Sequence, residues 1–248
     1  QDPSMREEYL ATAKTKPSIL LKGDTPRLID EWQDAPMLWD AVRTTVDDRQ
    51  VPGQFILTGS NAVDKSQIHH SGAGRIARLR MLPMSLWESQ ESTGEVSLKE
   101  LFNNPDYDID GKMSKMTVED LIFAASRGGW PASLLARTPK AQLLVAKNYV
   151  QTICSDDVSG IDGKKRDAKL TSMILRAYAR NVSTLVKKKS LLDDVTSSGE
   201  VSCHIDTFDD YVSALEKLFV IQNISAWCPA IRSKTAIRSS VKRCFCDP

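Results

Sequence analysis

The first eighty residues interleave short apolar runs with helical periods. Residues 5–21 have the spacing of a helix broken at Pro17, and residues 23–26 form a turn. Residues 27–31 read Arg27-Leu28-Ile29-Asp30-Glu31, a short strand with acids at its C-terminal end. Residues 35–46 predict a helix with Met37, Leu38, Ala41, Val42 and Thr45 on one face and Pro36 in its first turn. Residues 51–53 turn the chain into 54–58, a nearly all-apolar run suited to a buried parallel strand. Residues 59–74 read as a polar loop, and 75–81 as a third strand. Strand, helix, strand, loop, strand is the grammar of an α/β fold.

After residue 84 the strand signal fades. Residues 85–120 hold nine acidic and three basic residues, which predicts an exposed connection of helix and loop. Helical spacing returns over 118–126 and 139–155, with Arg127-Gly128-Gly129-Trp130-Pro131 as the turn between them. Trp130, next to Pro131, and Trp227, two residues before Pro229, suit rigid turn packing. An amphipathic helix follows over 170–182, then helices over 188–195 and 207–218, the last capped by Asp206 or Thr207. Residues 219–224 read as a strand, and three helices followed by a strand is the order of a winged helix. The pattern divides the chain into an α/β core at 1–84, a helical linker or lid at 85–160 and a winged-helix-like domain at 161–248. The last boundary falls between Asp156 and Asp167.

Composition narrows the function classes only a little. The chain has 248 residues, 41% hydrophobic and 26% charged, with a formal net charge of +1. Global charge therefore favours neither nucleic acid nor membrane. Apolar runs stay well short of the ~20 residues of a membrane helix, and the N-terminus lacks the pattern of a secretory signal. Five cysteines at 154, 203, 228, 244 and 246 lack C-x-x-C spacing, and the three histidines complete no metal motif. Reduced, structural thiols and a cytoplasmic location are the expectation.

The candidate chemistry sits at two strand ends. Leu28-Ile29-Asp30-Glu31 has the form of a Walker B motif. An apolar strand delivers two acids to the C-terminal edge of a sheet, where ligands bind in open α/β folds. Asp30 is placed to hold Mg²⁺, and Glu31 to orient or deprotonate an attacking water. A solvated turn is the plainer reading of the same four residues. The next strand ends in Thr58-Gly59-Ser60, whose hydroxyls fall where a γ-phosphate sensor lies in P-loop ATPases. A hydrogen-bonded strand end is the alternative there. Trp32 and Trp39 suit core or interdomain packing better than base stacking.

Taken together these stretches resemble a bacterial and archaeal group of AAA-type ATP-binding proteins. The similarity runs through Pro26-Arg27-Leu28-Ile29-Asp30-Glu31-Trp32-Gln33-Asp34-Ala35-Pro36 and Phe55-Ile56-Leu57-Thr58-Gly59-Ser60. It continues through the stretch from His70 to Ser89, then Arg127-Gly128-Gly129-Trp130-Pro131 and Ala226-Trp227-Cys228-Pro229. The resemblance implies an AAA domain, a winged-helix-like region and a further nuclease-like domain, with ATP and Mg²⁺ as ligands. It also implies that Arg75 reaches a nucleotide phosphate, within its own subunit or across an interface. An ordinary basic strand start is the other reading of Arg75.

The sequence departs from that group in one decisive respect. No stretch matches G-x-x-x-x-G-K-[ST], the loop whose backbone N–H groups and lysine cradle the phosphates. The expectation is an internal fragment of a longer ATPase, with the loop upstream of Asp2-Pro3, the nuclease-like domain beyond Pro248, and little hydrolysis by these residues alone. Without the P-loop strand the expected third strand would keep an unpaired edge, inviting self-association. A second function class is nucleic-acid binding. Lys164, Lys165, Arg166, Lys187, Lys188 and Lys189 form one basic cluster, and Arg232, Lys234, Arg238, Lys242 and Arg243 another. Asp209, Asp210 and Glu216 on the expected recognition helix oppose that reading, leaving a solvated or domain-packing face as its alternative. A non-catalytic interaction scaffold is the third class.

Overall fold

The computed structural model describes residues 4–60, 68, 70–228 and 239–248. They divide into two compact units, Gln1–Arg80 and Met81–Pro248.

The first unit starts with helices α1 (Arg6–Thr15) and α2 (Pro17–Leu20), separated at Lys16. Pro17 fits the first turn of α2, where its missing N–H is no loss. Strand β1 (Arg27–Ile29) then leads through a 3-10 turn at Trp32–Asp34 into α3 (Met37–Arg49), and β2 (Phe55–Leu57) follows. β1 and β2 pair in parallel, with Arg27 opposite Phe55, Leu28 opposite Ile56 and Ile29 opposite Leu57. The core beneath them joins Ala13, Ala35 and Leu38 with Leu10, Leu20, Ile29 and Met37. α3 buries Leu38, Trp39 and Val42. Trp39 stacks on Trp32 at 5.0 Å between ring centroids, and its indole N–H donates to the His70 carbonyl (2.9 Å).

The strand expected over 75–81 does not form. Residues 73–75 make a turn closed by Ile76 N–H to Gly72 O (2.9 Å), and residues 76–81 have no regular secondary structure. A strand exists only where a neighbour takes its hydrogen bonds, and among the described residues the sheet of this unit has two strands. Leu79 and Met81 are consequently among the most exposed apolar side chains described. Much of the 59–74 loop (61–67 and 69) lies outside the described residues.

The second unit is mostly helical. It carries α4 (Leu98–Asn103), α5 (Val118–Arg127), α6 (Pro131–Leu135) and α7 (Pro139–Thr152). A π-helical turn over Ile153–Asp157 leads into α8 (Val158–Gly160). Thr117 and Asp120 cap α5 reciprocally, each side chain accepting from the other's backbone N–H. The turn between α5 and α6 needs glycine. A side chain on Gly129 would strike the Met84 backbone, and the Gly129 N–H donates to the Asp247 carboxylate (2.9 Å).

Three longer helices build the main core: α9 (Ala168–Arg180), α10 (Lys188–Thr196) and α11 (Ile205–Lys217). They end in an antiparallel pair, β3 (Ile221–Ile224) and β4 (Lys242–Phe245). Asp167 caps α9 by accepting from Leu170 N–H (2.7 Å). α9 buries Leu170, Ile174, Leu175 and Tyr178, and α11 buries Phe208, Tyr211, Ala214 and Leu215, both at helical spacing. Leu191 and Val195 of α10 complete the cluster. The cap of α11 is His204, whose Nδ1 accepts from Asp206 N–H, in place of the expected Asp206 or Thr207.

Candidate functional site

Because β1 and β2 run in parallel, their C-terminal ends reach the same edge. The ladder extends one step past each strand. Thr58 N–H donates to Ile29 O (3.0 Å), and Trp32 N–H to Thr58 O (3.2 Å). This sets Asp30, Glu31, Thr58 and Ser60 side by side. The Thr58 hydroxyl donates to Asp30 Oδ1 (2.7 Å), and the Ser60 hydroxyl lies 3.4 Å from Glu31 Oε2. Four of the five residues singled out in the sequence therefore form two hydrogen-bonded pairs at one strand edge.

Glu31 turns the chain with a left-handed backbone, φ 51° and ψ 44°. A non-glycine residue held there costs about 1–2 kcal/mol. Gln33 takes part as well, its amide donating to Glu31 Oε2. A side chain at Gly59 would collide with the Gln33 carbonyl oxygen, so the glycine leaves room for it. That oxygen is buried and without a hydrogen-bond partner among the described atoms. Sequence reading passed over Gln33, since nothing in a lone glutamine after Asp-Glu announces a supporting role.

Arg75 lies elsewhere. Its Nε donates to Asp47 Oδ1 (2.8 Å) near the end of α3, and its Nη1 to the Ala73 carbonyl (3.3 Å). The hydrogen bond and charge of Asp47 raise the Arg75 pKa further. The structure thus groups Asp30, Glu31, Thr58 and Ser60 and engages Arg75 with α3.

Among the described residues, no cluster of three or more His, Cys, Asp or Glu side chains makes a metal cage. The Asp30–Glu31 edge suits a different ion. Mg²⁺ keeps several waters and takes one or two carboxylates plus the oxygens of a phosphate substrate. Asp30 has one carboxylate oxygen engaged by Thr58, which leaves the other for such an ion.

The basic cluster of the second unit is largely neutralised from within. Lys164 pairs with Asp210 (2.5 Å) and Lys188 with Asp209 (2.9 Å), both acids on α11. Arg166 is buried, donating to Asp162, to Asp210 and to the Val158 carbonyl, with its guanidinium beside the Tyr211 ring. The hydrogen bond from Arg166 holds the Asp162 carboxyl down at about 2. Lys169 pairs with Glu200 (3.0 Å) and Arg180 with Asp194 (2.9 Å). Lys165, Lys187 and Lys189 are exposed. Of the second basic group, Arg232, Lys234 and Arg238 lie outside the described residues. Arg243 is buried, its Nη1 donating to Asn223 Oδ1 (2.7 Å).

Trp130 packs its ring on Tyr149 of α7 at 4.4 Å, whereas Trp227 is exposed. Among the described residues, no helix is long and apolar enough to cross a membrane.

Residues 2–90 match the family model of an AAA domain, and the matched stretch contains the whole Asp30–Ser60 edge. That match supports an AAA-type P-loop ATPase family for this part of the chain. Residues 118–248 match a domain of unknown function, DUF8612. Neither match names a winged-helix or nuclease-like domain. No curated protein and no solved structure matches the chain. Since the second match spans more than half of its residues, the chain belongs to the DUF8612 family, joined at its N-terminal side to a segment of the AAA type.

Proposed function

We propose that the Asp30–Ser60 edge is the metal-holding and water-orienting half of an ATP hydrolysis site, acting with a phosphate-binding loop. The observation that carries the reading is the pairing of each acid with a hydroxyl across a parallel sheet edge, Thr58 to Asp30 and Ser60 to Glu31. The match of residues 2–90 to an AAA domain supports it.

In this reading Asp30 holds Mg²⁺ through its second carboxylate oxygen, usually by way of water. The ion, when bound with ATP, neutralises charge on the phosphates. Glu31 accepts a proton from the water as the water oxygen bonds to the γ-phosphorus and the bond to the ADP oxygen breaks. Gln33 holds the Glu31 carboxylate in place, and the left-handed backbone at Glu31 aims it. Thr58 and Ser60 contact the γ-phosphate or the water. Arg75 answers to phosphate only after leaving Asp47.

The order of α9, α10, α11, β3 and β4 is that of a winged helix, and we read 161–248 as that kind of domain after a helical 85–160 segment. DNA binding through it takes second place, because α11 spends its acids on Lys164, Arg166 and Lys188.

The test measures Mg·ATP binding and hydrolysis by the full chain fused behind a strand and a G-x-x-x-x-G-K-[ST] loop, with and without Glu31→Gln. The expected result is retained nucleotide binding with hydrolysis slower by about 100-fold or more, the scale of a lost general base. Hydrolysis at an unchanged rate in Glu31→Gln would overturn the assignment.

A further inference from the structure

The turn between α5 and α6 holds a carboxylate. It reads Arg127-Gly128-Gly129-Trp130-Pro131, and Asp247, in the segment after β4, reaches it from 118 positions away. The Gly129 N–H donates to both carboxylate oxygens, at 2.9 and 3.0 Å, so the planar group sits side-on to a single donor. Gly128 keeps the seat open. Its φ is 74°, and a Cβ there would come within 2.5 Å of Asp247 Oδ2. Gly129 is fixed from the other side, because Met84 N–H donates to its carbonyl (2.8 Å) and a Cβ would lie 2.3 Å from Met84 O. Both glycines are therefore needed for a carboxylate to rest against this backbone.

The seat carries positive charge as well. Arg127 is 5% exposed, and its Nε is buried without a hydrogen-bond partner among the described atoms. Its Nη2 donates to Glu91 (2.7 Å), and its charge also favours the ionised form of Asp247. Burial outweighs both this charge and the Gly129 hydrogen bond, and it pushes the Asp247 carboxyl above its ordinary value. The chain thus keeps an ionised Asp247 in the seat against a net loss of solvation, which favours exchange with an outside group. A structural clamp shows the opposite balance. The partners of Asp162, Arg166 foremost, pull its carboxyl down to about 2.

We infer that the Arg127–Gly128–Gly129 turn is a carboxylate-binding site, which the chain fills with Asp247 as a displaceable resident. Its outside ligand is a carboxylic acid group, carried on a peptide or free. Phosphate suits the seat less well. Phosphate sites gather several N–H donors, whereas here one N–H serves both oxygens and the arginine is already shared with Glu91. Occupation from within sets the threshold, because an intramolecular group competes at an effective concentration on the order of millimolar. A ligand that takes the seat frees the segment after β4 from the α5–α6 turn, so binding and release are one event.

The test follows the Gly129 amide by heteronuclear NMR in the full chain at neutral pH. Asp247→Ala empties the seat, and Asp247→Asn leaves an acceptor oxygen without the charge. The probes are sodium acetate and a capped Phe-Ser-Asp-Pro peptide, with sodium chloride at matched ionic strength as control. In both variants acetate should move the Gly129 amide downfield. The shift should saturate at concentrations at least about tenfold below those that move it in the parent chain. Peptide binding tighter than acetate identifies a peptide side chain as the ligand, and binding no tighter identifies a free carboxylate. A Gly129 amide that acetate leaves unmoved in both variants, or that chloride moves as far, would overturn the inference. Inorganic phosphate binding more tightly than acetate would overturn it too, by naming a different ligand class. So would failure of both variants to fold, which makes Asp247 a structural brace instead of a resident.

Discussion

The described residues hold two small sheets, each of two strands, supported in different ways. β3 and β4 are antiparallel and rest on α9 and α11. Ile221 is buried at one end of the ladder, and the outer edge of β4 is closed by Ser183 and Thr184, which exchange hydrogen bonds with Arg243. β1 and β2 are parallel, and only one of their faces is packed. Leu28 and Ile56, direct neighbours across that pair, are 61% and 52% exposed. Parallel strands are normally covered on both faces. The better-supported sheet carries no concentration of candidate chemistry, whereas the open one ends in the acids and hydroxyls of the proposed site. Stability and chemistry are therefore assigned to different parts of the chain, and substitutions should separate them.

The largest effect belongs to the packed helices. Ile174 lies fully buried in the cluster that α9, α10 and α11 share. Ile174→Ala is expected to cost about 3–4 kcal/mol, the loss of transfer energy plus a cavity. Denaturant unfolding followed by far-UV circular dichroism measures it. A cost below about 1 kcal/mol would mean that this cluster is not the stabilising centre.

Next comes the buried arginine beside that cluster. Arg166→Met keeps most of the volume but strands Asp162 and Asp210 beside an apolar wall. The Arg166 side chain is only 2% exposed, whereas its two partners are partly open to water. The expected loss is about 2–3 kcal/mol, less than for a fully buried pair. A neutral or stabilising outcome would show that packing, rather than the charge pair, sets this corner.

These two residues also mark what the sequence could and could not disclose. Ile174 sits in a stripe of period 3.6, and α9, α10 and α11 lie within a few residues of where that period puts them. β1 and β2 were legible for a similar reason, as apolar runs bounded by turns. The long-range partner of Arg166 was not legible, because Asp210 lies 44 residues away and only the packing of α11 brings it near. Read along the chain, Lys164, Arg166 and Lys188 look like a basic patch. Folded, they are counterions to α11. The residues 75–81 carried a strand-like sequence, but a strand is a property of a pair and none of the described residues pairs with them. Asp30, Glu31, Thr58 and Ser60 could be named from motif spacing, while Gln33 emerged only through its contacts. α5 turns Val118, Leu121 and Ile122 outward at the same periodicity as a buried stripe, so sequence alone could not tell which way it faces.

The Asp162–Arg166 pair sharpens the comparison through pH. The folded-state pKa of Asp162 lies at about 2, below the ordinary value of about 4 for an unfolded chain. Ionised Asp162 thus stabilises the second unit at neutral pH, fully so above the unfolded value. That contribution fades as pH falls from about 4 towards about 2. Solvent screening reduces it to about 1 kcal/mol. Stability measured between pH 5 and pH 2 should fall less steeply in Asp162→Asn than in the parent chain. Parallel curves would remove Asp162 from the acid response.

The smallest expected effect is the most pointed test of the open sheet. Leu28→Thr and Ile56→Thr put a β-branched residue suited to strands at each position and remove apolar surface that already meets water. Each should change stability by no more than about 0.5 kcal/mol, in contrast to Ile174→Ala. Amide hydrogen exchange at residues 27–29 and 55–57 isolates this sheet from the helices of the second unit. Unchanged protection in both variants would fit a face that stabilises little by itself. A loss of protection equivalent to about 1.5 kcal/mol or more would mean that Leu28 and Ile56 are covered in solution. The proposed site would then stand on a sheet as fully supported as β3 and β4, and the contrast between the two sheets would fail.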